Sequence, residues 1–337
     1  MKVNAKMMGV YILSLLVMCL WGMSLIWTDQ LKPFNIPPEY FLTGRILLAG
    51  LLLLVFNLLM GHSIRIRNRK DFRLFLMLSL FEPLVYFLAE TYGLFMVDSP
   101  SVSALILGLN PVFALFFGIV FFHEKVSTIN IVGLLLTICG LAFVVIQGAT
   151  LSNNTILGIL ILLIAVIAEV SYASLTKRLA SGGMEKESVK DSYAPSVIVM
   201  YQFLIGALFM LPMILVRYYN PTLLAEDPLV PYMVTFDPDV YFSWGVLRPL
   251  LCLVVICSCL CFSIWAFCIK HLGVAKSGNF IAITPIFTAL LCWILGRAPL
   301  TAIQWLGLAI AILGLILTQY TGGLSLRRVR LRFRMLR

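Results

Sequence analysis

The chain has 337 residues, 61% of them hydrophobic and 12% charged, with a formal net charge of +10. A soluble chain of this length carries roughly twice that charged fraction, so a water-soluble globular protein is excluded. Apolar runs of about 20 residues recur from end to end, each long enough to cross a bilayer as a helix, while the alternating pattern of an outer-membrane barrel is missing.

Ten spans are expected in chain order: 8–28, 39–60, 73–95, 99–122, 128–147, 156–177, 196–217, 246–269, 274–295 and 300–320. The fold class is therefore an all-α polytopic membrane protein. Lys2 and Lys6 precede the first span as they would a signal peptide, but the apolar stretch is too long and no small-residue cleavage site follows, so the span is retained. With the N-terminus inside, the inner segments hold Lys2, Lys6, Arg65, Arg67, Arg69, Lys70, Arg73, Lys125, Lys177, Arg178, Lys186, Lys190, Lys270, Lys276 and six tail arginines. The outer segments hold Lys32, Arg217, Arg248 and Arg297. This bias places both termini in the cytoplasm. The positive charge thus sets orientation, and no nucleic-acid partner is implied.

Span one carries Trp21 deep in the helix and Trp27 at its end. Trp27 suits an interfacial belt and Trp21 a cavity. Span two carries Arg45 near its outer boundary; it either snorkels to the headgroups or forms an ion pair with Glu90 at similar depth. Span three reads "SLFEPLVYFLAETYG", and Ser79, Glu82, Pro83, Tyr86, Glu90 and Gly93 fall within an arc of about 100°. An acid facing lipid at mid-bilayer costs at least ~2.5–3.5 kcal/mol, so Glu82 and Glu90 are expected to face a cavity or a partner. They are candidates for proton coupling; the alternative is a pair of hydrogen-bonded acids locking helices together. Span six adds Glu169, sharing a face with Tyr172, Ala173 and Thr176.

Spans four and nine read "GLNPVF" and "AITPIF". A proline inside a helix removes a backbone hydrogen bond and kinks it, so Pro111 and Pro285 are hinge candidates. Ser103 and Asn110 on one helix, and Ser277, Thr284 and Thr288 on the other, are candidates to line a polar cavity, together with Tyr86, Tyr172 and Trp265. The eight cysteines all lie in expected spans. Cys257 and Cys261 share a face without further ligands, and His62, His123 and His271 show no ligand spacing. No metal site is expected, and the cysteines read as packing residues. The segment 218–242 is a long outer loop whose role is open. The tail "LRRVRLRFRMLR" is expected to anchor on anionic lipid.

The chain also repeats itself. A shift of 174 pairs Ser103 with Ser277, Pro111 with Pro285, Phe113 with Phe287, Gly133 with Gly307 and Gly140 with Gly314. A shift of 157 pairs Arg45 with Gln202, and one of 149 pairs Gly9 with Gly158. Two halves of five spans are joined by the polar linker 179–195. Five is odd, so the halves would be inverted relative to each other around a central cavity, a transporter architecture.

The residues "LWGMS" in span one, "PPEYFLTGR" entering span two, "NPVFALFFGIVFFHEKVSTINIVGLLLTICGL", "ITPIFTALLCWILG" and "QWLGLAIAILGL" carry a resemblance. The sequence resembles the drug/metabolite transporter superfamily, in particular the bacterial EamA-type exporters. The resemblance implies repeats at 1–148 and 149–322, followed by a tail at 323–337. It also implies export of amino acids, related metabolites or toxic compounds across the bacterial inner membrane, by a multi-pass protein without a cofactor. Where the family usually ends span nine with Gly-Glu, this chain has Gly296-Arg297, with Ala298 equivalent to Glu124; Glu124 is therefore read as structural. No phosphate-binding loop is present, so ATP is not expected to drive transport. The expected function is a secondary exporter of a small polar solute, with importer, facilitator of sugar type, or non-transporting sensor as rivals. A lipid-modifying enzyme lacks convergent nucleophile or metal groups.

Overall fold

The computed structural model describes residues 5–113, 128–148, 153–180, 192–219, 237–272, 277, 280–281, 283–296 and 301–318. His123 and Glu124, Arg297 and Ala298, most of the linker 179–195, most of the 218–242 loop and the basic tail lie outside the described residues.

Among the described residues all regular structure is helical. The longer helices are α1 (Ala5–Asp29), α2 (Pro38–Leu59), α3 (Arg69–Val97), α4 (Pro100–Leu107), α5 (Thr128–Gly148), α6 (Asn153–Ala180), α7 (Pro195–Tyr219), α8 (Trp244–Leu272), α9 (Thr284–Ile294) and α10 (Ala302–Thr318). Of these, α1, α2, α3, α6, α7 and α8 are each long and apolar enough to cross a membrane. They match six of the expected spans to within a few residues. Expected spans four and nine fall partly on undescribed residues.

Helix boundaries follow local chemistry. Asn68 caps α3 by accepting a hydrogen bond from Asp71 N at 2.7 Å, and Ser99 caps α4 by accepting one from Val102 N. Prolines open α2, α4 and α7, where the missing N–H costs nothing. α2 illustrates the burial pattern. Leu47, Leu48, Leu51, Leu52, Val55 and Phe56 are exposed, while Arg45, Ala49, Gly50, Leu53 and Asn57 are buried. The apolar face points outward and the polar one inward, as suits a helix with lipid on one side.

Packing between the halves is reciprocal. α3 packs on α6 as α8 packs on α1; α4 packs on α6 as α9 packs on α1; α3 packs on α7 as α8 packs on α2. α2 packs on α7, α4 on α9 and α5 on α10. The α5–α10 contact is the most extensive. A Cβ on Gly140 would lie 2.4 Å from Ala311 N and 2.6 Å from Gly307 O; one on Gly314 would lie 2.4 Å from Thr137 N and 2.6 Å from Gly133 O. As the α5 position rises, its α10 partner falls, so the two helices cross in antiparallel sense. Only glycine permits this approach, and backbone-close packing is how membrane helices associate without a hydrophobic driving force between them.

Two helices break regular geometry at mid-length. α3 is kinked within Leu80–Val85, where Glu82 leaves helical geometry, and α8 is π-helical over Leu253–Cys261. A shift of 174 carries 80–85 onto 254–259, inside the second segment. In α3 the cause is Pro83, which cannot donate to the helix and drives the preceding residue out of helical space. Glu82 accordingly has φ −144° and ψ 118°, and the Glu82–Pro83 peptide is cis. α7 fits against this break, with Gly206 pressed on the Pro83 ring.

The helix ends are tied. Lys32 pairs with Asp98 at one end. At the other, Ser196 Oγ donates to Asn57 Oδ1 at 2.6 Å, Tyr193 OH donates to Asp71 Oδ2 at 2.9 Å, and Tyr201 OH donates to the Ile64 carbonyl.

Candidate central cavity

The helices enclose a cavity of about 530 Å³, part of it open space, lined by Trp21, Ser24, Leu25, Arg45, Glu82, Tyr86, Phe87, Glu90, Ala104, Leu107, Gly108, Glu169, Phe262, Ile281 and Thr284. It draws on α1, α2, α3, α4, α6, α8 and α9, so both halves of the chain build it.

Its defining feature is charge. Glu82, Glu90 and Glu169 are all buried. Glu82 lies within electrostatic reach of Glu169, Glu90 and Arg45. The backbone at Glu82 is extended where Pro83 follows it, and the Glu82 Oε2 is buried without a hydrogen-bond partner. Glu90, two turns on, accepts a hydrogen bond from Tyr86 OH at 3.1 Å. Glu169 faces Asn110, whose Nδ2 approaches it without reaching hydrogen-bond geometry.

Arg45 is the one cation among the cavity's lining residues. It is 3% exposed. It neither snorkels to the headgroups nor closes an ion pair with Glu90, the two alternatives open in the sequence. Its Nε donates to Ser258 Oγ at 2.8 Å, and its guanidinium lies 4.4 Å from the centre of the Phe87 ring. A buried guanidinium needs such partners, and stacking on an aromatic face is a guanidinium property that lysine does not share. The π-helical segment of α8 supplies Ser258.

Aromatic rings form one wall. Phe262 packs on Trp21 at 5.2 Å, Phe203 at 5.3 Å, Phe87 at 5.8 Å and Tyr172 at 6.2 Å, and Trp265 stands behind Trp21 at 5.5 Å.

The structure thus brings together Glu82, Glu90, Glu169, Arg45, Trp21, Tyr86 and Thr284 of the sequence-derived candidates. Ser103, Asn110, Tyr172, Trp265, Ser277 and Thr288 are buried but do not line the cavity. Thr288 instead donates to Thr284 O at 3.1 Å, with Gly22 O at 3.4 Å, fastening α9 to α1. Pro285 lies in the first turn of α9, and Pro111 follows a break at Gly108–Leu109, so each proline opens a helical segment where a mid-helix kink was expected. The two breaks touch: a Cβ on Gly108 would sit 2.7 Å from the Pro285 ring.

Sequence reasoning missed Phe87, Phe262 and Ser258. Phe87 and Phe262 carried no polar signal in an aromatic-rich chain. Ser258 was available: a buried cation demands a partner, and "CSCLC" holds the hydroxyl.

The EamA-like transporter family matches twice, over residues 8–146 and 156–320, one match in each half. The uncharacterized transporter YetK of Bacillus subtilis (strain 168) is 21% identical over 316 residues, covering 93% of this chain and 87% of YetK. A protein of known crystal structure shares the fold with a TM-score of 0.61 and 16% identity, over 92% of this chain and 97% of that one. Both halves of the chain, and the cavity they build together, fall within the family matches: the chain belongs to the EamA-like transporter family.

Proposed function

We propose that the protein is a secondary active transporter that exports a small polar metabolite, amino acid or toxic compound by alternating access, with ten spans arranged as two inverted repeats. The observation that carries this reading is a mid-helix cavity lined by three buried acidic side chains and one buried arginine. Ionisable groups at such depth are costly and belong to substrate or ion pathways. The reciprocal packing of the halves and the antiparallel α5–α10 crossing support the inverted arrangement, in which substrate binds between the repeats. Glu82, with an unpartnered carboxylate oxygen at the break in α3, is the first candidate to carry a coupling proton, with Glu90 and Glu169 beside it. Arg45, Trp21, Tyr86 and Thr284 are candidates to contact substrate. The positive-inside bias supports a cytoplasmic location for both termini, and in this reading the membrane is the bacterial inner membrane, with the arginine-rich tail against anionic lipid.

The test compares cells making wild-type protein with cells making Glu82→Gln, using untargeted mass spectrometry of medium and cell extract. A compound enriched in the medium only with wild type gives direction and substrate class together. Enrichment inside the cell reverses the direction to import. Unchanged pools in both strains remove the exporter reading.

A further inference from the structure

Several polar side chains outside the cavity are fully buried without hydrogen-bond partners, and four of them lie on α6, α7 and α8. They are Tyr172 and Thr176 on α6, Gln202 on α7 and Trp265 on α8. All are at most 1% exposed. Both amide atoms of Gln202 are unpartnered, as are the Trp265 indole N–H and both hydroxyls. The Tyr172 and Thr176 hydroxyls face each other without reaching hydrogen-bond geometry. Buried polar groups are normally satisfied, so four together ask for an explanation.

Their placement supplies one. α6, α7 and α8 pack against one another pairwise. Phe262, which lines the cavity, touches both Tyr172 and Phe203. Thr176 lies one turn past Tyr172, Trp265 lies about one turn past Phe262, and Gln202 adjoins Phe203. The four therefore border the aromatic wall at Phe262, on the three helices that pack together there. Farther along the same helices, Lys177 Nζ donates to the Lys270 carbonyl at 2.8 Å, and Lys270 Nζ donates to Ser192 Oγ at 2.9 Å. These two bonds tie the ends of α6 and α8 to the entrance of α7. A polar cluster thus lies between an aromatic floor and a lysine clasp.

We infer that this cluster is a second solute-binding station, packed shut in this structure and opened when the clasp releases. It rests on the alternating-access reading. Its chemistry differs from that of the central cavity. Its own groups are an amide, two hydroxyls and an indole N–H, with Glu82 and Glu169 of the central cavity within electrostatic reach of Tyr172, so these four groups take the uncharged hydrogen-bonding part of a solute: amide, hydroxyl or carbonyl. Gln202 pairs with Arg45 across the sequence repeat. The two halves thus present a charged station and a neutral one at equivalent positions.

The experiment uses full-length protein free of native cysteines, in sealed membrane vesicles of both orientations, with an impermeant cationic methanethiosulfonate as probe. Thr176→Cys reports the new station and Ser24→Cys the central cavity. The expected result is modification of Thr176→Cys from the vesicle face opposite to the one that modifies Ser24→Cys, several-fold faster when Lys270→Gln is added. Modification from the same face as Ser24→Cys overturns the inference. So does the absence of modification in a protein that elutes as a single folded species. Gln202→Cys replaces Thr176→Cys where the latter fails to fold, with the same outcomes. Reactivity of Ser24→Cys is read separately: if it reacts while residue 176 does not, the central cavity stands and the second station falls.

Discussion

The α5–α10 pair and the α3–α8 pair occupy equivalent places in the two halves, yet are built on opposite principles. Glycines 140 and 314 let the backbones of α5 and α10 touch. α3 and α8 are instead interrupted at mid-length, one by a kink and the other by a π-helical segment, and place Glu82 in the cavity wall and Ser258 against Arg45, which lines it. Close glycine packing leaves one arrangement available, because any shift drives backbone into backbone. Broken helices with buried polar groups have more than one, because their hydrogen bonds are incomplete where they stand. The difference divides the molecule into a fixed axle and a working surface.

The largest effect is expected from damaging the axle. Gly140→Leu places a side chain where even a Cβ meets Ala311 N at 2.4 Å. Overpacking of an ordinary core costs roughly 1–3 kcal/mol, and here the obstruction is backbone that cannot rotate away. Most of the protein should be lost from the monodisperse fraction after mild detergent extraction. Gly50→Ala is the graded control. Its new methyl meets the Leu204 side chain at 2.8 Å and Leu204 N only at 3.2 Å; the side chain can change rotamer and the backbone need give little, so most of the protein should survive. Equal yields for the two variants would break the distinction between backbone and side-chain contact.

Damage to the working surface should spare folding and remove function. Glu82→Gln keeps the shape of the side chain, and the buried carboxylate oxygen it replaces has no partner to lose. Extraction yield should match wild type while substrate flux falls roughly tenfold or more, about 1.4 kcal/mol in activation terms. Full flux in this variant would remove Glu82 from the transport cycle.

An intermediate effect is expected at Ser258. Ser258→Ala leaves the Arg45 Nε proton without its acceptor at 2.8 Å. An orphaned buried donor costs about 1–3 kcal/mol, toward the upper end when charged. The thermal midpoint should fall measurably, and substrate affinity should fall with it if Arg45 contacts the solute. Ser258→Thr, which keeps the acceptor, should restore most of both. A loss of affinity that Thr does not rescue would point to packing rather than to the hydrogen bond.

Much of this division was legible in the sequence. The paired glycines that form the axle appeared as the 174-residue repeat, because backbone contact tolerates no other residue and the pattern survives in letters. The acids were legible because a charge within an apolar run is anomalous by composition alone. Arg45 was visible as a residue but not in its contacts. Its hydrogen-bond partner comes from α8, more than two hundred positions away, through a π-helical turn that no periodicity announces, and its aromatic partner from α3. Tyr172 and Trp265 were assigned to the cavity because they share a helical face with Glu169 or lie deep in a span. Tyr172 packs instead on Phe262 and Trp265 on Trp21, both of which line the cavity, and side-chain stacking of that kind is set by tertiary packing.

The smallest effect belongs to the tie at the helix ends, far from both regions. Lys32 and Asp98 form an ion pair with Asp98 largely exposed, at 72%. Exposed pairs contribute about 0–1 kcal/mol. Asp98 also ends α3 in the left-handed region, at φ 57°, a conformation that asparagine tolerates as readily as aspartate. Asp98→Asn therefore removes the charge without straining the turn, and the variant isolates electrostatics. Its thermal midpoint should lie slightly below that of wild type at low salt, and the gap should close near ~1 M salt, where the screening length falls to about 3 Å. A large, salt-independent loss would mean that this end of α3 is part of the axle, and that rigidity extends farther from the glycine contacts than backbone packing alone requires.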